Sequence, residues 1–362
     1  MYLTKVENLK VGDVLARKVY TADYQVLLKE GVELNNKYIT RLKHLGIKHV
    51  YLKDKASEEV EIIDAISEEI KGEAINLAKQ SLDTISELSL EEQARVKKIV
   101  DTEEIEELIN KIVENILESP DIFISLKDIR DVDEELFFHL TNVTTISLIV
   151  AKILNYGKRE MLDLGVGAFL HDLGKIKVPS EILNKPGALT DEEFAEVKKH
   201  TIYGYQLLKQ FKKLPKSAVL VAKQHHERED GSGYPSGLTG EKTHVFAKIV
   251  AIADIFDALQ NDRVYRSGLK VNTIIRELYD LANKNQLDIV IVEQLVSNLV
   301  AYPVGSRVKL SNGFEGVVVE LNSDALLRPI IKVLKEDGQE LAEAFIVDLS
   351  EEMLAATISE VI

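Results

Sequence analysis

Hydrophobic and polar positions follow three textures along the chain. Over 1–55, short apolar runs such as Val14-Leu15-Ala16 and Val26-Leu27-Leu28 are punctuated by Gly12 and Gly31, which predicts strands. Residues 35–46 predict a short helix stopped at Gly46, so this stretch is read as a small α+β module. Over 56–119, Glu, Lys, Ile and Leu recur at helical spacing, with Ile105, Leu108, Ile109 and Ile112 on one stripe. This segment is read as a helical linker or a dimerising helix pair, closed by Pro120, although no strict heptad runs through it. Helical periodicity continues over 120–300, interrupted by Asn184-Lys185-Pro186-Gly187 and by the Gly-rich stretch 231–240. Thr190 and Glu193 form a capping box for the helix expected to carry His200. After Pro303 the period changes. Arg307-Val308-Lys309-Leu310 and Gly316-Val317-Val318-Val319 flank the turn Ser311-Asn312-Gly313, and Pro329-Val333 and Phe345-Val347 add strands. The 301–362 segment is therefore expected to be a small all-β, barrel-like module, and the whole chain mainly α.

Composition narrows the function classes. The 362 residues contain no cysteine, which excludes disulfides, thiolate metal sites and Cys nucleophiles. A formal net charge of −15 argues against binding long nucleic acids, which need a basic stripe. A small anionic substrate is compatible with that charge if metals or a few placed cations reverse the local field. Met1-Tyr2-Leu3-Thr4-Lys5 lacks the apolar core of a leader, and no stretch approaches the roughly 20 apolar residues of a membrane span. The expectation is a soluble cytoplasmic protein without a membrane span.

The candidate chemistry lies in the central helical region. Of eight histidines, five fall between 139 and 226: His139, His171, His200, His225 and His226. Glu135 and His139 are one turn apart on a face continued by Ile146 and Val150, so that face points inward. His171 and Asp172 follow the stripe Met161, Leu164 and Ala168, and His200 shares a face with Gly204, Leu207 and Phe211. His225-His226 end a helix bearing Val219, Val221 and Ala222, while Asp254 and Asp257 sit with Val250 and Ala253 on another. Taken singly, each has a duller explanation: a hydrogen-bonded core histidine, a helix-end charge or a buried ion pair. Together, five helices direct imidazoles and carboxylates to one interior, where charge is costly unless paired or bound to metal. A sulfur-free His/Asp/Glu set suits Fe, Mn, Zn or similar divalent ions, and so many donors imply two or three of them.

These residues also carry a resemblance. His171-Asp172 with Gly174-Lys175, His200-x-x-x-Gly204, His225-His226-Glu227, Asp230-Gly231-x-Gly233-Tyr234-Pro235-x-Gly237-Leu238, Ile252-Ala253-Asp254-x-Phe256-Asp257-Ala258-Leu259 and Arg263-x-Tyr265-Arg266 succeed one another over 130–280. This order and spacing resembles the HD-GYP branch of the HD metal-dependent phosphohydrolases. Two departures are visible: Val264 stands where the family usually has proline, and Leu140 where it often has serine. Neither removes a ligand. The resemblance implies an HD-type all-α catalytic domain over 120–300 that hydrolyses cyclic di-GMP to linear pGpG, and in many members of the family onward to GMP. It implies as metal ligands His139, His171, Asp172, His200, His225, His226 and Asp254. Glu135 matches an additional ligand of members with three metals, and the metals of the family are usually iron or manganese.

On this reading Asp172 bridges two metals through its two oxygens, and a water acidified by coordination attacks phosphorus. Lys175 is placed to meet the same phosphate, its alternative role being a helix-end surface cation. Tyr234, Asp257, Arg263 and Arg266 complete the expected substrate contacts, the two arginines having ion-pairing as their alternative. Competing functions are a receptor that binds cyclic di-GMP without turnover, a phosphodiesterase for another cyclic dinucleotide such as cyclic GMP-AMP, and an HD hydrolase of linear nucleotides. The terminal modules are read as the place where a second copy or a signalling partner would bind.

Overall fold

The computed structural model describes residues 1–21, 24–53, 66–86, 102–119, 124–125, 135–260, 271–351 and 356–361, with backbone only at 3, 81–86, 124–125, 135–136, 271–272 and 361. Two compact units emerge, one drawn from Met1–Asp64, Ser125–Glu134 and Asn298–Ile362, the other from Ala65–Ile124 and Glu135–Ser297.

In the first unit, β1 (Tyr2–Lys5) pairs antiparallel with β4 (His49–Leu52), and β2 (Val19–Tyr20) with β3 (Val26–Leu28). Val14-Leu15-Ala16, expected as a strand, makes only isolated bridges, Val14 to Glu33 and Leu15 to Leu52. Helix α1 (Asn36–His44) is capped by Asn35, whose side chain accepts from the Tyr38 amide, and the chain turns out of it at Gly46 with φ +68°. Leu15, Leu34, Leu42, Val50 and Leu52 form the core.

The C-terminal strands β5 (Arg307–Leu310), β6 (Phe314–Glu320), β7 (Ile330–Glu336), β8 (Gln339–Asp348) and β9 (Ile358–Val361) make one sheet of order β8-β7-β6-β5-β9, with antiparallel neighbours. Val308, Leu310, Val318, Ile331 and Val333 bury one face. β8 and β9 are its two edges and do not pair with each other among the described residues, so the sheet does not show the barrel-like closure expected of it.

The second unit is helical and includes α2 (Glu68–Ser86) and α3 (Thr102–Glu118). These two helices, expected as a linker or a dimerising pair, pack as part of this unit. Ile105, Leu108, Ile109 and Ile112 are buried, and a Cβ on Gly165 would run into Ile109. The remaining helices among the described residues are α4 (Glu135–Ile153), α5 (Lys158–Phe169), α6 (Ser180–Leu183), α7 (Asp191–Lys198), α8 (His200–Leu208), α9 (Lys216–Gln224), α10 (Val245–Gln260), α11 (Val271–Asn283) and α12 (Ile289–Ser297). Thr190 and Glu193 do form a capping box, the hydroxyl accepting from the Glu193 amide at 3.2 Å and the carboxylate from the Thr190 amide at 2.7 Å. It starts α7, however, which ends at Lys198, and His200 begins the next helix after the single residue Lys199.

Candidate metal centre and active site

His171 and Asp172 lie just past α5, in the turn leading into the 3-10 segment Leu173–Lys177. That segment packs backbone to backbone on the start of α8: a Cβ at Gly174 would run into the His200 carbonyl and the Gly204 amide. Glycine at 174 thus lets Asp172 and His200 come together. His225 caps α9 and His226 follows it; His139 is on α4 and Asp254 on α10.

The imidazoles are oriented by what their inner nitrogens meet. His171 Nδ1–H donates to the Ala168 carbonyl at 2.7 Å, His200 Nδ1–H to Val197 at 2.7 Å and His225 Nδ1–H to Val221 at 3.1 Å. A carbonyl can only accept, so each Nε2 presents a lone pair to the interior. His139 Nδ1–H donates instead to Asp257 Oδ2 at 2.7 Å.

Asp172, 2% exposed, is the centre of the arrangement. Its Oδ1 lies 3.3 Å from His200 Nε2 and 3.8 Å from His225 Nε2. Its Oδ2 lies 3.4 Å from His171 Nε2, 3.6 Å from His139 Nε2 and 2.5 Å from Lys175 Nζ. Each carboxylate oxygen therefore faces a separate donor group. One group is Asp172, His200, His225 and His226; the other is His139, His171 and Asp254, with Asp254 Oδ1 3.3 Å from His139 Nε2.

Burial decides the charge states. It drives the pKa of His225 well down, lowers His200 and brings His226 to about 3, so these imidazoles are neutral and ready to ligate. Burial also opposes charge on His139, yet hydrogen bonds to Asp172, Asp254 and Asp257 outweigh it and hold that pKa well above the ordinary value. Asp172 is held low despite burial by Lys175 and the neighbouring imidazoles, and Asp254 by His139 and His226.

The residues fit a cluster of divalent ions. His200 and His225 bring two Nε2 atoms to 3.3 Å with both lone pairs facing inward, a repulsive pairing unless a cation lies between such groups. His171 Nε2 and Asp172 Oδ1 are buried with no hydrogen-bond partner. An all-N/O donor set of this kind suits first-row divalent metals.

The sequence-expected residues are distributed as follows. His139, His171, Asp172, His200, His225, His226 and Asp254 converge, with Lys175 against Asp172. Tyr234 lies with its ring 4.7 Å from that of His226, tilted by 30°. Asp257, expected among the substrate contacts, is fully buried behind His139, and its second oxygen accepts from Asn142 Nδ2 at 3.0 Å. Glu135 opens α4 one turn before His139, and its side chain lies outside the described residues, as do Arg263 and Arg266. Two contributors were missed. Asn142 shares the His139 face three residues on. Glu227, in the His225-His226-Glu227 run, is buried and accepts from the Ser236 and Leu238 amides, both at 2.8 Å, clamping the glycine-rich loop that holds Tyr234.

Residues 111–290 match the family model described as "HD domain". The chain belongs to the HD domain family, and its helical unit carries that fold. It is 33% identical over 269 residues to a cyclic di-GMP phosphodiesterase of Pseudomonas aeruginosa, covering 74% of this chain and 64% of the relative. It is 40% identical over 141 residues to a cyclic di-GMP phosphodiesterase response regulator of Xanthomonas campestris, covering 39% of this chain and 37% of that one. It is also 36% identical over 167 residues to a 3'3'-cGAMP-specific phosphodiesterase of Vibrio cholerae, 42% of this chain and 32% of the relative. The chain thus spans less than two thirds of the length of each. An HDG"Y"P protein from Bdellovibrio bacteriovorus shares the fold, with a TM-score of 0.51 at 20% identity over 81% of this chain and 97% of that one. No helix among the described residues is long and apolar enough to cross a membrane.

Proposed function

We propose that this chain is a metal-dependent phosphodiesterase of the HD-GYP type that hydrolyses cyclic di-GMP to linear pGpG, with GMP as the alternative end product. The observation that carries the reading is Asp172, whose two oxygens face two separate histidine groups, in a chain whose relatives are named cyclic-dinucleotide phosphodiesterases. His139, His171 and Asp254 would hold one ion and His200, His225 and His226 another, with Asp172 shared; Glu135 would add a third, and iron or manganese suits the set. Such ions acidify water and withdraw charge from a phosphodiester. The protein's own part is positional. Carbonyl-anchored Nδ1 atoms and Asp257 fix the imidazoles, and Asp172 stays ionised. Lys175, 28% exposed on its side chain, offers an ammonium at the edge of the centre to a phosphate oxygen. Tyr234, Arg263 and Arg266 would contact the nucleotide. The first 55 residues and 301–362 would carry contacts with a second copy or a signalling partner.

Because some relatives are named for 3'3'-cGAMP, a mixed cyclic dinucleotide is the second substrate to test. Metal-loaded protein is incubated with cyclic di-GMP, 3'3'-cGAMP and linear nucleotides, with products and metal content followed together. Turnover of cyclic di-GMP to pGpG is expected. Binding without turnover at full metal occupancy would reassign the chain as a receptor.

A further inference from the structure

Outside the ligand set, a line of side chains leads away from the metal centre. The Tyr234 ring lies against His226, and Lys198 Nζ stands 5.5 Å from the Tyr234 ring centre. The same Nζ stands 4.5 Å over the ring of Phe194, one turn earlier on α7. Phe194 is 45% exposed, so this large aromatic face is not spent on the core. Lys198 makes no ion pair among the described residues, although acidic residues outnumber basic ones 60 to 45. Tyr234 is held in place from behind by the Glu227 clamp on its loop. An unpaired ammonium between two ring faces, one of them adjoining the centre, is matched to a ligand that is planar, aromatic and anionic.

We propose that Phe194 and Lys198 form a nucleotide subsite at the rim of the active site, with Phe194 stacking a nucleobase and Lys198 meeting the non-scissile phosphate. The inference rests on the cyclic-dinucleotide reading above. With one phosphodiester at the metal centre, a cyclic dinucleotide still has a second phosphate and two bases to place along the rim. Phe194 and Lys198 present the two chemistries those groups require.

The test uses the whole chain. It contains no tryptophan, so F194W installs a single reporter where the base should stack. Its fluorescence is expected to be quenched by cyclic di-GMP and by 3'3'-cGAMP. F194A and K198A should each weaken binding about tenfold by calorimetry, whereas F194W and K198R should hold wild-type affinity. Wild-type binding with an unquenched F194W reporter and unchanged affinity in F194A and K198A would overturn the subsite while leaving the phosphodiesterase reading intact. Wild-type protein that binds neither dinucleotide would overturn both.

Discussion

Asp257 Oδ2 accepts the Nδ1–H of His139 at 2.7 Å, and Asn142 occupies the other oxygen of the same carboxylate at 3.0 Å. The carboxylate thereby fixes the His139 tautomer and aims Nε2 at Asp254 and Asp172. Asp257→Asn keeps the shape but loses the charge and the certainty of an acceptor at Oδ2. Metal affinity measured by chelator competition should fall roughly 10–100-fold, the usual loss on disturbing such an outer partner. Wild-type affinity in this variant would remove Asp257 from the metal centre.

Stripping metal should destabilise the helical unit, because it leaves neutral imidazoles with their Nε2 lone pairs 3.3 Å apart and a buried, unpartnered Asp172 oxygen. With free metal at a thousandfold excess over Kd, linkage provides about 4 kcal/mol. The thermal midpoint should drop in chelator and recover with manganese or ferrous iron. A midpoint indifferent to both would show that these residues hold no ion.

Acid should weaken the metal-free protein. His226 ionises at about 3 in the fold, chiefly because it is buried, against 6.5 unfolded. Between those values the unfolded chain binds a proton that the native state does not, so stability falls as pH drops below 6.5. His200 and His225 are shifted in the same direction. His139 is shifted upward, so its contribution is present below 6.5 and is lost as pH rises through its folded pKa. Thermal denaturation in chelator between about pH 7 and 5 should show the fall, and His226→Gln should flatten it. An equally steep acid limb in the variant would assign the effect elsewhere.

Gly174→Ala should be poorly tolerated, since the new methyl meets the backbone of His200 and Gly204, which no rotamer change can relieve. A loss on the order of 3 kcal/mol is expected from overpacking. Bound metal should fall with it, because the same contact sets the distance from Asp172 to His200. A stable variant with full metal content would show that the segment can shift freely.

The role of Glu135 is read out by counting. Glu135→Ala should lower metal per chain from three toward two while leaving the protein folded, as measured by elemental analysis with circular dichroism. An unchanged count would end its assignment as a ligand.

Periodicity was enough to turn His139 and His200 inward, since a helix converts spacing into direction at about 100° per residue, whereas His171, Asp172 and His226 lie just past the helices expected to carry them and are aimed by the turns that follow. The apolar stripe of α3 and the turn at Ser311-Asn312-Gly313 were legible for the same local reason. Local pattern does not report on partners. Asp257 reads from the sequence as one more carboxylate beside Asp254, and only tertiary packing puts it behind His139, 118 residues away. Likewise the amphipathic stripe of α3 says that a face is buried, not against what, and so left a linker and a dimerising pair both open. The open edges of the C-terminal sheet were hidden because strand spacing does not specify closure. The sequence by itself determined which donors this protein owns and which of them, His139, His200 and Asp254, a helix carries. Only the tertiary structure decided that Asp172 shares its two oxygens between two histidine groups, because that division is set by backbone contact between segments that the chain order keeps apart.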